Sequence, residues 1–188
     1  MAAGNRQRDR QAHFDMTRHK RLSIALVSDT HGVLDERIAA LVANCDLAVH
    51  AGDVGEAGVL SQLQSHGTET IAVRGNNDTP HQWPRAQHNV LETLPDQGFI
   101  ALPGGLLVVL HGHRFDPVAQ RHDRLRAAFG NARVIVYGHS HRQVCDKSAH
   151  PWVINPGVAG RARTFGGPSC AILQASANHW TIAKHRFA

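Results

Sequence analysis

The 188-residue sequence predicts an α/β domain on three observations. Short apolar runs alternate with amphipathic segments from Leu22 to Asp78, the pattern of strand, helix, strand, helix, strand. Nearly every apolar run ends in glycine and polar residues, as strands do when they feed loops. No run approaches the roughly 20 apolar residues of a membrane span; LLVVL at 106–110 is far too short.

LSIALVSD (22–29) reads as a buried strand and DERIAALVANC (35–45) as a helix, with Ile38, Leu41, Val42 and Cys45 at helical spacing. DLAVHAGD (46–53), VLSQLQSHG (59–67) and TIAVRGNND (70–78) follow as strand, helix and strand. Such alternation implies parallel strands whose ligands gather beyond their carboxyl ends. FIALPGGLLVVLHGH (99–113) reads as a hairpin turning at Pro103–Gly105, and VAQRHDRLRAAF (118–129) as a helix before the strand RVIVYGHSH (133–141). QVCD, WVINPG, SCAILQA and HWTIAKH read as short strands, so the later sheet is expected to be mixed or antiparallel. No internal repeat or linker divides the chain; residues 22–188 are expected to form one domain.

Of the formal charge of +5, residues 1–21 carry +4, with Arg6, Arg8, Arg10, Arg18, Lys20 and Arg21 against Asp9 and Asp15. This stretch is expected to be a basic, disordered leader, and the remainder is nearly neutral. Cys45, Cys145 and Cys170 are odd in number and lack metal or redox spacing, which signals neither a disulfide framework nor a zinc ribbon. With no secretory apolar region at the N-terminus, a cytoplasmic location is expected.

The strand ends carry the chemistry. In order they are Asp29-Thr30-His31, Gly52-Asp53, Gly75-Asn76-Asn77-Asp78, His111-Gly112-His113 and Gly138-His139-Ser140-His141. In extended chain alternate residues point the same way, so Asp29 with His31, and His139 with His141, can each grip one site. Asp29 to Asp53 is 24 positions and Asp53 to Asn76 is 23, each about one strand-helix unit, which aligns equivalent strand ends. Carboxylate, imidazole and amide oxygen without thiolate suit Mn²⁺, Fe²⁺, Ni²⁺ or Zn²⁺ in a reactive rather than a structural site. Seven donors are more economically read as two ions than as one, an arrangement used to hydrolyse phosphate esters.

These ordered motifs resemble the calcineurin-like metallophosphoesterases, whose pattern is D-x-H, G-D, G-N-H-[DE], a lone H and G-H-x-H. The short chain, the G-N-x-D without the usual histidine and the later Asn155-Pro156-Gly157 are most similar to the small YfcE-type phosphodiesterase branch. The resemblance spans roughly residues 22–186 and implies a four-layer α/β/β/α sandwich, two mixed sheets flanked by helices. It implies two divalent ions, Mn²⁺ first and Ni²⁺, Fe²⁺ or Zn²⁺ as alternatives. Asp29, His31 and His141 would hold one, Asn76, His111 and His139 the other, and Asp53 would bridge them. It further implies a hydroxide shared by the two ions attacking phosphorus in line.

Asn77 is the departure, because the broader family has a histidine there that, with the following acidic residue, serves the departing oxygen. An amide cannot release a proton at neutral pH, so good leaving groups should be favoured, aryl over alkyl; the resemblance implies phosphodiesters over monoesters. His113 is read as a substitute acid, a phosphate binder or support for His111, and Asp78 as a brace for the loop within the same catalytic group. Asn155 and Gly157 read as a structural turn. Two other readings stay open. The retromer scaffold subunit resembles this family without hydrolysis, and a nuclease could use the basic leader to hold nucleic acid. Aromatic residues at 5% give the latter little to stack bases on. The expected partner is a small phosphoester, with a homo-oligomer as a further possibility.

Overall fold

The computed structural model describes residues 10–65 and 67–188. Period-two burial explains its layers. In β2 (Arg21–Val27) the side chains of Leu22, Ile24 and Leu26 enter one core while Ala25 and Val27 enter another. Leu47 and Val49 of β3 (Leu47–His50) join the first core and Ala48 the second. A strand whose two faces are both apolar needs cover on both sides. α1 (Glu36–Val42) and α2 (Ala57–Gln64) supply the outer cover through Ile38, Val42, Val59 and Leu63, each burial contributing about 1.5–3 kcal/mol. Asp35 caps α1 by accepting the Arg37 backbone N–H at 3.0 Å.

β4 (Glu69–Ala72) completes the parallel trio. β10 (Ser169–Ser176) and β11 (Trp180–Arg186) add antiparallel on the other edge, giving a five-stranded sheet ordered β11-β10-β2-β3-β4. The opposing sheet holds β5 (Gln97–Leu102), β6 (Gly105–Leu110), β7 (Val134–Tyr137), β8 (Val144–Asp146) and β9 (Trp152–Asn155). Pro103 and Gly104 make the expected β5–β6 hairpin turn. Leu107, Val109, Val134 and Val136 face the core between the sheets; Val108, Ile135 and Tyr137 face outward toward Leu125 of α4 (Arg121–Ala128). The α/β/β/α sandwich with two mixed sheets is therefore present. No described helix is long and apolar enough to cross a membrane.

The N-terminal expectation needs correction. Residues 1–9 lie outside the described residues, but β1 (Gln11–Asp15) pairs parallel with β5, Gln11 opposite Gln97 through Asp15 opposite Ala101. Phe14 packs against the inter-sheet core and Met16 is buried. The sheet thus runs β1-β5-β6-β7-β9-β8, and the folded unit starts ahead of Leu22. An edge strand with one covered face shows only Ala12 and Phe14 as apolar signal, and surrounding charges mask it. A 3₁₀ turn at Arg85–Gln87 and α3 (His88–Thr93) were also not anticipated; α3 buries Leu91 in the helix-side core.

If β1 is part of the fold, Phe14→Ala should cost about 2 kcal/mol, roughly half the value for a fully buried phenylalanine. Urea unfolding of the two proteins measures this, and identical midpoints would return residues 11–15 to a dispensable tail.

Candidate metal centre

Parallel strands of both sheets point their carboxyl ends to one edge of the sandwich, so their following turns meet there. Backbone pairing stitches these turns together: the Asp29 N–H donates to Gly52 O at 3.0 Å and the His31 N–H to Asp53 O at 3.0 Å. Asp29, His31, Asp53, His139 and His141 all have φ between 47° and 67°. Among the described residues only Arg163 is a further non-glycine case. Left-handed backbone costs an L-residue about 1 kcal/mol or more, so such positions persist only where the surrounding structure holds them, and they cluster at functional sites.

The donor atoms converge. His31 Nε2 lies 3.2 Å from His141 Nε2, which is 3.4 Å from Asp29 Oδ1. Asp53 Oδ2 lies 3.3 Å from His111 Nε2 and 3.9 Å from His31 Nε2, and His111 Nε2 is 3.1 Å from Asn76 Oδ1. Asp29 with His31 and His141, and Asp29 with Asp53 and His111, each bring ligand atoms within 4.8 Å of one another. Facing imidazole nitrogens with carboxylates between them suit a divalent cation. His139 is less committed: its imidazole stands edge-on to His111 at 5.2 Å between centroids, and its backbone N–H donates to Asp29 at 3.1 Å.

Electrostatics agree with the donor set. Burial keeps His31 and His139 below their ordinary pKa, in the neutral form that binds metal. Burial opposes charge on Asp53, but the His111 hydrogen bond and charge and the Asn77 donors outweigh it, holding the carboxyl well below the usual range. Burial likewise opposes protonation of His111, and Asp53 more than offsets it, leaving His111 raised.

Two sites depend on glycine. A Cβ on Gly75 would fall inside the Asp53 carboxylate, and one on Gly52, at φ 88°, would lie 2.8 Å from His111 Nδ1. The site therefore closes only where these side chains are absent.

A sequence profile of the calcineurin-like phosphoesterase superfamily domain matches residues 22–178. The chain belongs to that superfamily. A phosphodiesterase of Methanocaldococcus jannaschii is 25% identical over 162 residues, 81% of this chain and 92% of that protein. A predicted phosphoesterase from Streptococcus pneumoniae TIGR4 superposes with a TM-score of 0.65 at 21% identity, covering 89% and 91% of the two chains. Entamoeba histolytica Vps29 complexed with zinc superposes with a TM-score of 0.63 at 12% identity, covering 88% and 99%. At these identities the two structures speak for the calcineurin-like fold alone.

The remaining expected residues sort by contact. Asn77 donates to Asp53 through both its backbone N–H (2.9 Å to Oδ1) and its side-chain amide (2.6 Å to Oδ2). Asp78 is fully buried and accepts from the backbone N–H groups of Val54, Gly55 and Gly75 and from the Trp83 indole at 2.8–3.1 Å. Both its oxygens are occupied there, so it braces two turns and does not face the donor cluster. His113 stands 5.6 Å from His111 and 6.1 Å from His139 between ring centroids, with burial holding it below its ordinary pKa. Asn155 accepts the Gly157 N–H at 2.9 Å and donates to Gly138 O at 2.7 Å, under the His139 turn.

His50 escaped the sequence reading because no glycine or acid flanks it. It is fully buried; Nδ1 accepts the Gly52 N–H at 3.2 Å and Nε2 pairs with Thr30 Oγ1 at 2.9 Å, tying the Asp29 and Asp53 turns. Its position at a strand end, three residues before Asp53, was the available signal. Burial pushes its pKa down to about 4. Between about 4 and 6.5 the unfolded chain binds this proton and the folded chain does not, so stability is complete above 6.5 and falls as pH drops. From about pH 7 to about pH 5, in chelator, the chain should lose about 2 kcal/mol more than its His50→Gln variant in urea unfolding. Equal losses would place the proton uptake elsewhere.

Proposed function

We propose that this protein is a binuclear metal-dependent phosphodiesterase acting on small phosphoesters. The observation that carries the reading is the meeting of five donor-bearing turns from two sheets, with five donor residues in left-handed backbone. In this reading Asp29, His31 and His141 would hold one divalent ion, Asn76, His111 and His139 would hold a second, and Asp53 would serve both. Such ions acidify water and neutralise phosphoryl oxygens, so little further base is required. Mn²⁺ is the first candidate, with Ni²⁺, Fe²⁺ and Zn²⁺ behind it. The neighbouring M. jannaschii phosphodiesterase supports diester chemistry.

The chain's own residues position the site. His111 Nδ1–H donates to Ala51 O at 2.9 Å, which turns Nε2 toward Asp53 and Asn76. Ser28 Oγ lies within 2.7 Å of both Asp29 Oδ2 and Gly157 O, and so fixes that carboxylate. Asn77 is a positioning residue for Asp53, and its amide gives the leaving oxygen no proton. A general acid is worth about 10²–10⁴-fold, so substrates whose leaving group needs none should turn over best. His113 adjoins the cluster from the His111 side and is the nearest candidate for a supplementary role. The complete donor set argues against a scaffold without hydrolysis.

Metal analysis of purified protein, with bis(p-nitrophenyl) phosphate and p-nitrophenyl phosphate assayed under Mn²⁺, Ni²⁺, Zn²⁺ and chelator, tests the proposal. The diester should be cleaved faster, chelator should abolish turnover, and Asp53→Asn should lower it at least about a hundredfold. Turnover that survives chelation overturns the reading. Aryl diesters should also outpace alkyl ones. Asn77→His should narrow that ratio by about tenfold or more while slowing the aryl substrate, since Asp53 loses an amide donor. An unchanged ratio would remove the leaving-group argument.

A further inference from the structure

Beside the donor cluster lies a cavity of about 390 Å³ lined in part by Asn76 of that cluster and by the adjoining His113. Its remaining wall includes three arginines from three separate segments: Arg10 just before β1, Arg74 after β4 and Arg114 after β6. Asp78 and Asp96 also line it; the Asp78 carboxylate is engaged by the four N–H donors named above, and among the described residues Asp96 is the other acid of the lining.

Asp96 organises the basic wall. It accepts the Arg10 backbone N–H at 2.9 Å, returns its own N–H to Arg10 O at 2.8 Å, and its Oδ1 lies 4.0 Å from Arg114 Nη2. The Arg10 side chain donates to Glu92 O, and Arg74 Nε donates to Asp78 O at 2.7 Å. Arg10 and Arg74 are thus anchored on backbone carbonyls, and Arg114 lies within ion-pair reach of Asp96. The β1–β5 register carries Arg10 to this wall. Planar forks with several donors match the oxygens of a phosphoryl group, and three arginines carried by separate segments suit a tetrahedral anion better than a flat one. The volume is in the range of small-molecule sites.

Resting on the phosphodiesterase reading, we propose that this cavity binds a second phosphoryl group, borne on an arm of the substrate beyond the phosphoester that is cleaved. The substrate class is then a phosphodiester with a terminal phosphate, and Arg10, Arg74 and Arg114 are specificity-determining residues that take no part in bond cleavage.

The test compares 2-phosphonoethyl p-nitrophenyl phosphate with propyl p-nitrophenyl phosphate at fixed ionic strength. The charged arm should lower KM about tenfold in the wild type. Arg10→Gln with Arg114→Gln should erase that difference and leave kinetics on the propyl ester unchanged, and Arg114→Lys should keep part of it. If the double variant does not fold by circular dichroism, Arg114→Gln alone decides. A KM ratio near one in the wild type, or a ratio that survives in the folded variant, overturns the inference while leaving the phosphodiesterase reading intact. Calorimetry on metal-free protein gives a second readout. If neither ester is hydrolysed the phosphodiesterase reading fails, and tighter binding of the phosphono ester by wild type than by the variant sustains the pocket. Equal binding of the two esters overturns it.

Discussion

The site depends on the Asp53 carboxylate. It sits where no side chain could share space with it, above Gly75, and four partners define it: the Asn77 backbone and amide groups, His111 and, at longer range, His31. Placing a buried carboxylate among imidazoles costs desolvation energy, which only hydrogen bonding and positive charge can offset. His111 and Asn77 do so from opposite sheets, since Asn77 follows β4 and His111 follows β6. The same contact that keeps Asp53 ionised therefore also clamps the two halves of the sandwich at their shared edge.

What the sequence disclosed and what it hid divide along physical lines. Strands buried on both faces, such as β2, β3, β6 and β7, are continuous apolar runs with abrupt polar ends, and both their location and their terminal donors could be read directly. Spacing aligned Asp29, Asp53 and Asn76 at equivalent strand ends, whereas His111, which the structure brings beside Asp29 and Asp53, was legible only as the residue ending its own strand. β1 was hidden because an edge strand needs only one apolar face, and α3 because six residues give barely a turn and a half of periodicity. His50 was hidden for another reason. Its role is to be buried and neutral between two turns, a property of the tertiary environment that leaves no local composition to detect.

Asn77 and Asp78 show how residue type and residue role separate. Adjacent in sequence, they face opposite directions: Asn77 reaches the donor cluster, while Asp78 turns beneath the loop to collect N–H groups from Val54, Gly55 and Gly75. A carboxylate with four donors is a strong local organiser, because charge-assisted hydrogen bonds are about twice as strong as neutral ones. The chain thus spends its acid on holding the Asp53 and Asn76 turns in register and its amide on the metal-facing carboxylate.

That division makes the inter-sheet core part of the chemistry. Asp29, His31, Asp53 and Asn76 ride on the five-stranded sheet, whereas His111, His139 and His141 ride on the six-stranded one. The separation between the two donor groups is set by the side chains that fill the space between the sheets, chiefly Leu26, Val49, Leu107, Val109 and Val136, all fully buried. Close-packed interiors transmit even a methylene's change in volume, so apolar packing between the sheets sets the spacing across which the Asp53 contacts then clamp the donors. The left-handed turns then act as short, stiff brackets on the end of that core. Their strain is tolerable because both sheets and the buried residues His50, Asp78 and Asn155 hold each bracket from behind.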